Sequence, residues 1–565
     1  MTMKINYQGK KRFFFLSIIF FVWIFFIAFK LFKLQVIDFN TYLAKVKAQT
    51  NRVEDLHSKR GTITDRHGEI LAISLQSKSA FLSNKDKEIS LAVFRDFCRL
   101  LALDNSQKIK VNKRIRRGEK FIWLKRKLTD EEYQKILPLA SSKQTAGTID
   151  FIDEYRRVYP QKKMAAHILG GVGMDEQALG GIETSLDSEI KGRGGKIKVL
   201  IDARKKIFQF KYLEMPVAGK DIHLSIDAAL QFLVERELVE TVRKYRAAGG
   251  AVIVLRSTDA QILAMASYPD YYPQMIWRAP SQALKNKAIS FLYDPGSTFK
   301  IVLAAAALEN HSSAPGEMFN CHQGVYMIKD RRITDVHPFD RLSFEDIIIQ
   351  SSNIGAAGIG QRLGKEKYFH SIQAFGFGRR TGIMLPAEEN GILNSPEKWS
   401  GVSLVYLSHG YEISVTPLQM AAAFNVLASG GYWLQPQILL EPGPESEKRK
   451  ILSLSSQQPL TAILTAVVDR GTGKKARIAG IEIAGKTGTA RKVKAGKYAS
   501  SYVSSFGGFF PAGDPQVTVF VMIDEPLGLY YGGDVAAPLF KSVAAKIMPY
   551  LRLFPDRPDQ KEIYL

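Results

Sequence analysis

The chain has 565 residues, too many for one typical hydrophobic core, so two or three domains are expected. A formal net charge of +23 raises the question of nucleic-acid binding, but no recognisable nucleic-acid module accompanies the charge. With two cysteines in the whole chain, a disulfide-built scaffold is excluded.

Near the N-terminus, Phe13 to Phe29 is an unbroken apolar run preceded by Lys10-Lys11-Arg12. As a helix it rises roughly 25 Å, close to the thickness of a bilayer core, and Leu31 to Val36 lengthens it if Lys30 and Lys33 snorkel. No small-residue cleavage site follows, so an uncleaved transmembrane anchor over 13–36 is expected rather than a signal peptide. Lys4, Lys10, Lys11 and Arg12 favour a cytoplasmic tail at 1–12, an asymmetry that Lys30 and Lys33 weaken. Everything after about residue 37 is then expected outside the cytoplasm.

A mixed, strand-rich segment is expected from 37 to 235. It contains a basic stretch from Lys108 to Lys127, read as a solvated face, with attraction to anionic lipid headgroups or a pyrophosphate as the next possibility. Cys98 falls here and Cys321 in the next domain, so the two are not expected to pair. A second domain is expected over 236–550. It opens with a helix around Leu230 to Tyr245 and strands Ala251 to Leu255 and Ile262 to Ser267. It closes with a strand from Val517 to Ile523 and the helix after Pro538, and a C-terminal tail occupies 551–565. The fold class is α+β, with an antiparallel sheet flanked by helices.

Three motifs fall in order along this second domain. The first, Ser297-Thr298-Phe299-Lys300, follows the turn Asp294-Pro295-Gly296 and opens an apolar, Ala-rich stretch to Leu308, which predicts a buried helix begun by Ser297. Residues three apart share a helix face, so Lys300 can direct its amine at the Ser297 hydroxyl. Burial and the charge of Lys486 are both expected to depress the Lys300 pKa and supply a neutral base. By contrast, Ser395-Pro396-Glu397-Lys398 has the same spacing but a proline ill suited to a helix interior.

The second motif, Ser351-Ser352-Asn353, reads as a loop entering a helix. Ser351 is a candidate proton relay, or else an ordinary N-cap, and Asn353 a candidate partner for a substrate amide. The third motif is Lys486-Thr487-Gly488-Thr489, at the end of a strand-like run from Ile478 to Ala484. On a strand, Lys486 and Gly488 point one way and Thr487 and Thr489 the other. An edge strand of this kind can bind an extended peptide and meet its terminal carboxylate with Thr487 or Thr489. Gly480 to Thr487 also fits the phosphate-loop pattern GxxxxGK[ST], with Val519 to Glu525 as an acidic-ended strand. That reading needs a turn between the glycines and a helix after them, whereas Ile481 to Ala484 alternates like a strand and Gly488 interrupts the helix.

S-x-x-K, S-x-N and K-T-G together form the nucleophile set of serine enzymes acylated by penicillin. The chain resembles the class B penicillin-binding proteins. Tyr293 to Lys300, Gly471-Thr472-Gly473, Gly485 to Ala490 and Gly410 to Gln419 resemble segments of their catalytic domain. Arg60 to Gly68, Arg157-Val158-Tyr159-Pro160 and Gly180 to Glu183 resemble segments of their non-catalytic pedestal. Asp294 stands where many relatives have glutamate, and Ala484 where many have glycine.

The resemblance implies a peptidoglycan D,D-transpeptidase with Ser297 as nucleophile and Lys300 as its base. It implies Ser351 and Asn353 as the second catalytic element, and Lys486, Thr487, Gly488 and Thr489 on the carboxylate and oxyanion side. No metal or cofactor is implied. Expected ligands are D-Ala-D-Ala stem peptides and β-lactams. Expected partners are a polytopic membrane glycosyltransferase and other division-complex proteins, with the chain held in the cytoplasmic membrane. The compact pedestal and the lack of a C-terminal extension resemble division-type more than elongation-type transpeptidases. A β-lactamase has no need of the anchor and pedestal, and a β-lactam sensor needs a larger cytoplasmic part than 1–12.

Overall fold

The computed structural model describes residues 7–553 except 85, 143, 144, 146, 202–206, 442–445, 495 and 496. Residues 1–6 of the expected cytoplasmic tail, with Lys4, and 554–565 of the expected C-terminal tail lie outside the described residues. The chain divides into two compact units. One comprises residues up to 59 together with 191–219, and the other comprises 60–190 together with 220–565. The segment expected as one pedestal is thus shared between the two units.

In the first unit a helix spans Tyr7–Phe32 and runs on through a π-type stretch, Lys33–Ile37. Arg12–Ile37 is long and apolar enough to cross a membrane, with a mean hydropathy of 2.5 and none of it buried in the protein. Apolar residues lie on every side of the helix instead of in one stripe, which suits a lipid solvent and not a protein core. A three-stranded antiparallel sheet follows, with Gly195–Ile201 between Asn51–Leu56 and Ile207–Glu214.

In the second unit, the long strand Ile70–Ser83 pairs antiparallel with both Phe121–Lys125 and Ile149–Val158. Helices Lys87–Leu101, Asn105–Arg116 and Asp130–Ser141 close a core around Phe94, Phe97, Ile115 and Ile136. The basic stretch is amphipathic. Val111, Ile115, Ile122 and Leu124 are buried, while Lys110, Lys113, Arg116 and Arg117 are exposed. Cys98 is half-buried, Cys321 is buried, and both are free thiols.

The catalytic part of this unit begins with α1 (Ala228–Lys244), whose N-cap Asp227 accepts from the backbone N–H groups of Ala229 and Leu230. The boundary expected at 235 therefore falls inside one continuous helix. Along the chain come β1 (Gly249–Arg256), β2 (Ile262–Tyr268), α2 (Lys300–Glu309), α3 (Phe344–Gln350), α4 (Asn353–Leu363), α5 (Lys365–Ala374), α6 (Pro417–Ala428) and α7 (Leu454–Asp469). Then follow β3 (Ala484–Lys494), β4 (Lys497–Phe510), β5 (Val517–Asp524) and α8 (Gly532–Ile547). The strands form one antiparallel sheet in the order β2-β1-β5-β4-β3.

Period-two alternation builds a core on each face of this sheet. Val252, Val254, Val519 and Val521 meet the helices α1 and α8, whereas Ala251, Ile253, Phe520 and Met522 join the core that holds α2 and α6. Every residue of β5 is buried, as a central strand covered on both faces requires. β3 ends the sheet, so its outer edge offers backbone groups that no other strand among the described residues uses.

Candidate active site

Ser297 lies on a 3₁₀ turn, Gly296–Phe299, that feeds directly into α2. The helix proper begins at Lys300, three residues later than the sequence pattern suggested. Two glycines allow the turn to sit where it does. Gly410, at φ +83°, approaches so closely that a Cβ there would meet the Gly296 carbonyl oxygen at 2.1 Å. Gly488 is extended on β3, and a Cβ there would lie 2.8 Å from Thr298 Cγ2 and 3.0 Å from the Pro295 carbonyl oxygen. The nucleophile turn is therefore packed against β3 and the Gly410 loop, and the Gly296 N–H donates to the Gly410 carbonyl at 3.0 Å. Phe299 anchors it from below, edge-on to Phe377 with ring centroids 5.0 Å apart.

Lys300 is fully buried. Its Nζ donates to the Ser351 carbonyl at 2.6 Å and to Asn353 Oδ1 at 2.9 Å, and lies 3.3 Å from Ser351 Oγ. Burial pushes the amine down to about 7, with the Asp335 charge opposing the shift. Lys486, also fully buried, donates from Nζ to Ser351 Oγ at 2.9 Å. Burial, and then the charge of Lys300, hold Lys486 well below the ordinary lysine range. The interaction between the two amines is reciprocal, each disfavouring the charged form of the other.

Ser351 thus sits between two amines. Its backbone is left-handed, at φ +62°, an uncommon conformation for a serine and one that clusters at functional sites. It caps the end of α3, so the N-cap of α4 is its neighbour Ser352, whose Oγ accepts from the Gly355 N–H at 2.9 Å. Asn353 spans the site, with Oδ1 on Lys300 and Nδ2 donating to the Thr334 carbonyl at 3.1 Å. Both ends of its amide are engaged by the protein itself.

Lys486 to Thr489 lie in the first half of β3, not at the end of a strand. The preceding Ile478 to Ile483 is a loop in which the buried Ile481 and Ile483 mimic strand alternation. The phosphate-loop pattern consequently runs from this loop into a strand, with no helix after it. Thr487 Oγ1 pairs with Thr472 Oγ1 at 2.8 Å, and Thr489 Oγ1 accepts from the Gly532 N–H at 2.8 Å. All eight residues singled out by sequence occur in this one region, around Ser297, Ser351 and β3.

The family profile of the penicillin-binding protein transpeptidase domain matches residues 250–545, and that of the penicillin-binding protein dimerisation domain matches 55–224. The chain belongs to the class B penicillin-binding proteins. This penicillin-binding protein is 32% identical over 535 residues to the probable peptidoglycan D,D-transpeptidase PenA of Neisseria gonorrhoeae, covering 93% of the chain and 90% of the relative. It is 30% identical to the peptidoglycan D,D-transpeptidase FtsI of Escherichia coli, covering 93% and 89%. Among solved structures it is similar to penicillin-binding protein 3 of Mycobacterium tuberculosis complexed with aztreonam. There the TM-score is 0.68 and the identity 25%, covering 89% of this chain and 99% of that one.

Sequence reasoning missed two residues of this penicillin-binding protein's site. Asp335 accepts from Ser352 Oγ at 2.6 Å, from the Asn353 N–H at 2.5 Å and from the Ile354 N–H at 3.1 Å, which fixes the start of α4. His409 is buried beside the Tyr406 and Tyr411 rings. Burial, reinforced by the Lys300 charge, pushes it down to about 3 and keeps it neutral. Neither belongs to a motif, and a single Asp or His in a loop carries no spacing signal. Thr472 had a signal, the Gly-Thr-Gly that frames it.

Proposed function

We propose that this enzyme cross-links peptidoglycan by acyl transfer through Ser297. Neutral Lys300 takes the Ser297 proton as Oγ attacks the carbonyl of the penultimate D-alanine of a stem peptide. Backbone N–H groups at the Ser297 turn and at Thr489 on the adjoining edge strand face the developing oxyanion. Ser351, hydrogen-bonded to Lys486 and within reach of Lys300, relays the proton to the leaving amine. The peptide bond breaks, D-alanine departs, and an acyl-serine ester remains. An amine of a neighbouring stem then attacks the ester, its proton returns to Ser297 through the same lysine and serine, and the cross-link is formed. Thr487 and Thr489 meet the substrate carboxylate, while Gly488 leaves the edge strand close to the nucleophile turn.

The observation that carries this reading is Lys300, buried, lowered to about 7 and bonded to Ser351 and Asn353 at the base of the nucleophile turn. A β-lactam enters by the same attack, but its leaving nitrogen stays tethered and the ester persists. The apolar helix Arg12–Ile37 is read as an inner-membrane anchor with the catalytic unit outside the cytoplasm. Within that setting a polytopic glycosyltransferase and other division proteins are the partners, and the resemblance of the pedestal to division-type enzymes supports septal synthesis.

Labelling of the full-length protein with a fluorescent penicillin tests the assignment. A long-lived label that is absent from Ser297→Ala is expected. Rapid release of hydrolysed drug, or label that survives in Ser297→Ala, contradicts it.

A further inference from the structure

Away from the nucleophile, α5, the turn after it and the strand Lys448–Lys450 border a cavity of about 560 Å³, within the range that holds small ligands. Among the described residues its lining includes Arg379, Arg449 and His370 and no carboxylate; Ser297, Lys300, Ser351 and Lys486 are not among its walls. Both guanidinium groups lie over one ring, that of the buried Trp433, at 5.5 and 4.7 Å from its centroid. Strand register explains half of this arrangement, since Trp433 pairs with Arg449 across the ribbon of Tyr432–Leu434 and Lys448–Lys450.

The charges there do not balance. Among the described residues Arg379 and Arg449 share a single carboxylate, Glu447, at 3.3 and 2.7 Å. Arg449 also donates to the Ala374 carbonyl at 3.0 Å. Burial, and then the charge of Arg379, work against the Arg449 cation. Two arginines gathered around one tryptophan leave a local excess of positive charge among the described residues, and guanidinium groups suit planar or tetrahedral oxyanions. Beside them stand the apolar surfaces of Phe369 and Phe377 and the neutral donors Gln373 and Ser395.

We infer that this cavity is a binding site for a small acid, a carboxylate or phosphate group carried on a compact body such as a sugar. The oxyanion is held by Arg379 and Arg449, and the body rests against the phenylalanines.

Calorimetric titration of the full-length protein tests the site, after acylation with penicillin so that the carboxylate-binding side of the active site is closed. N-acetylmuramic acid and glucose 1-phosphate supply the two oxyanions, and N-acetylglucosamine is the uncharged comparison. At least one acid is expected to bind to the acylated protein while the neutral sugar does not. Preference between the acids separates a glycan or peptide carboxylate from a phosphorylated source. Arg449→Gln should weaken the acid at least tenfold with fluorescent-penicillin labelling unchanged. Arg379→Gln, a half-exposed change that leaves Trp433 covered by Arg449, should do the same if Arg449→Gln fails to fold. Equal binding of acid and neutral sugar, no binding of either acid, or unchanged affinity in the arginine variants overturns the proposal.

Discussion

Two clusters built around buried charged side chains in this protein are opposite in chemistry. In the pedestal segment, Arg60 and Arg157 are buried on either side of the fully buried Glu183, at 2.7 and 2.6 Å, and Arg60 also meets Asp187 at 2.7 Å. Burial works against the Arg60 cation, but Glu183 and Asp187 more than restore it, so the guanidinium ends above its ordinary value. Around Ser351, Lys300 and Lys486 are buried with hydroxyl, carbonyl and amide oxygens as their partners and, among the described residues, no carboxylate in hydrogen-bond contact. Both are pushed down. Burial alone does not mark a reactive site; burial without counter-charge does. The first cluster is a structural ion network and the second a store of neutral amine.

Removing the neutral amine should have the largest effect. Lys300→Met is expected to slow penicillin acylation of Ser297 by roughly 10²–10⁴-fold, the usual range for loss of a general base, measured as the rate of label incorporation. An unchanged rate would erase the distinction between the clusters. In the pedestal, Glu183→Gln leaves two buried arginines short of charge and should lower folding stability by about 3–5 kcal/mol, read from urea unfolding. The fraction that remains folded should label at the normal rate, since the network touches no catalytic group. Asp335→Asn should have the smallest effect. Losing the charge that holds Ser352 and the first N–H groups of α4 is expected to cost about 1–3 kcal/mol of stability and to slow acylation modestly through misplacement of Asn353.

That the three motifs come together in one region was legible in the sequence because each motif has a fixed local geometry. Gly488 and Gly410 mark close backbone approaches, and Lys300 needs only its place on the first turn of α2. The antiparallel sheet was legible from β1, β2 and β5, whose apolar runs are long and bounded. Failures came where local pattern and tertiary burial diverge. Ile481 and Ile483 alternate like a strand yet lie in a loop, where with Ile478 they join the same buried core as α8. The boundary at 235 missed a helix that continues across it. Asp335 and His409 were invisible because their roles depend on residues far away in sequence, Asn353 and Lys300 respectively. The division of the pedestal between two compact units depends on strands that return after 190, beyond the reach of any local signal.

The central claim is that Ser297 is activated by an amine kept neutral by burial, and the pH dependence of acylation tests it most directly. Only the unprotonated Lys300 accepts the Ser297 proton, so the acylation rate of full-length protein by a β-lactam should climb with pH, reach half its maximum near the Lys300 value of about 7, and level off above it. A rate still rising toward the ordinary lysine value of 10.5, or one that is flat through neutrality, would show that Lys300 is not the base.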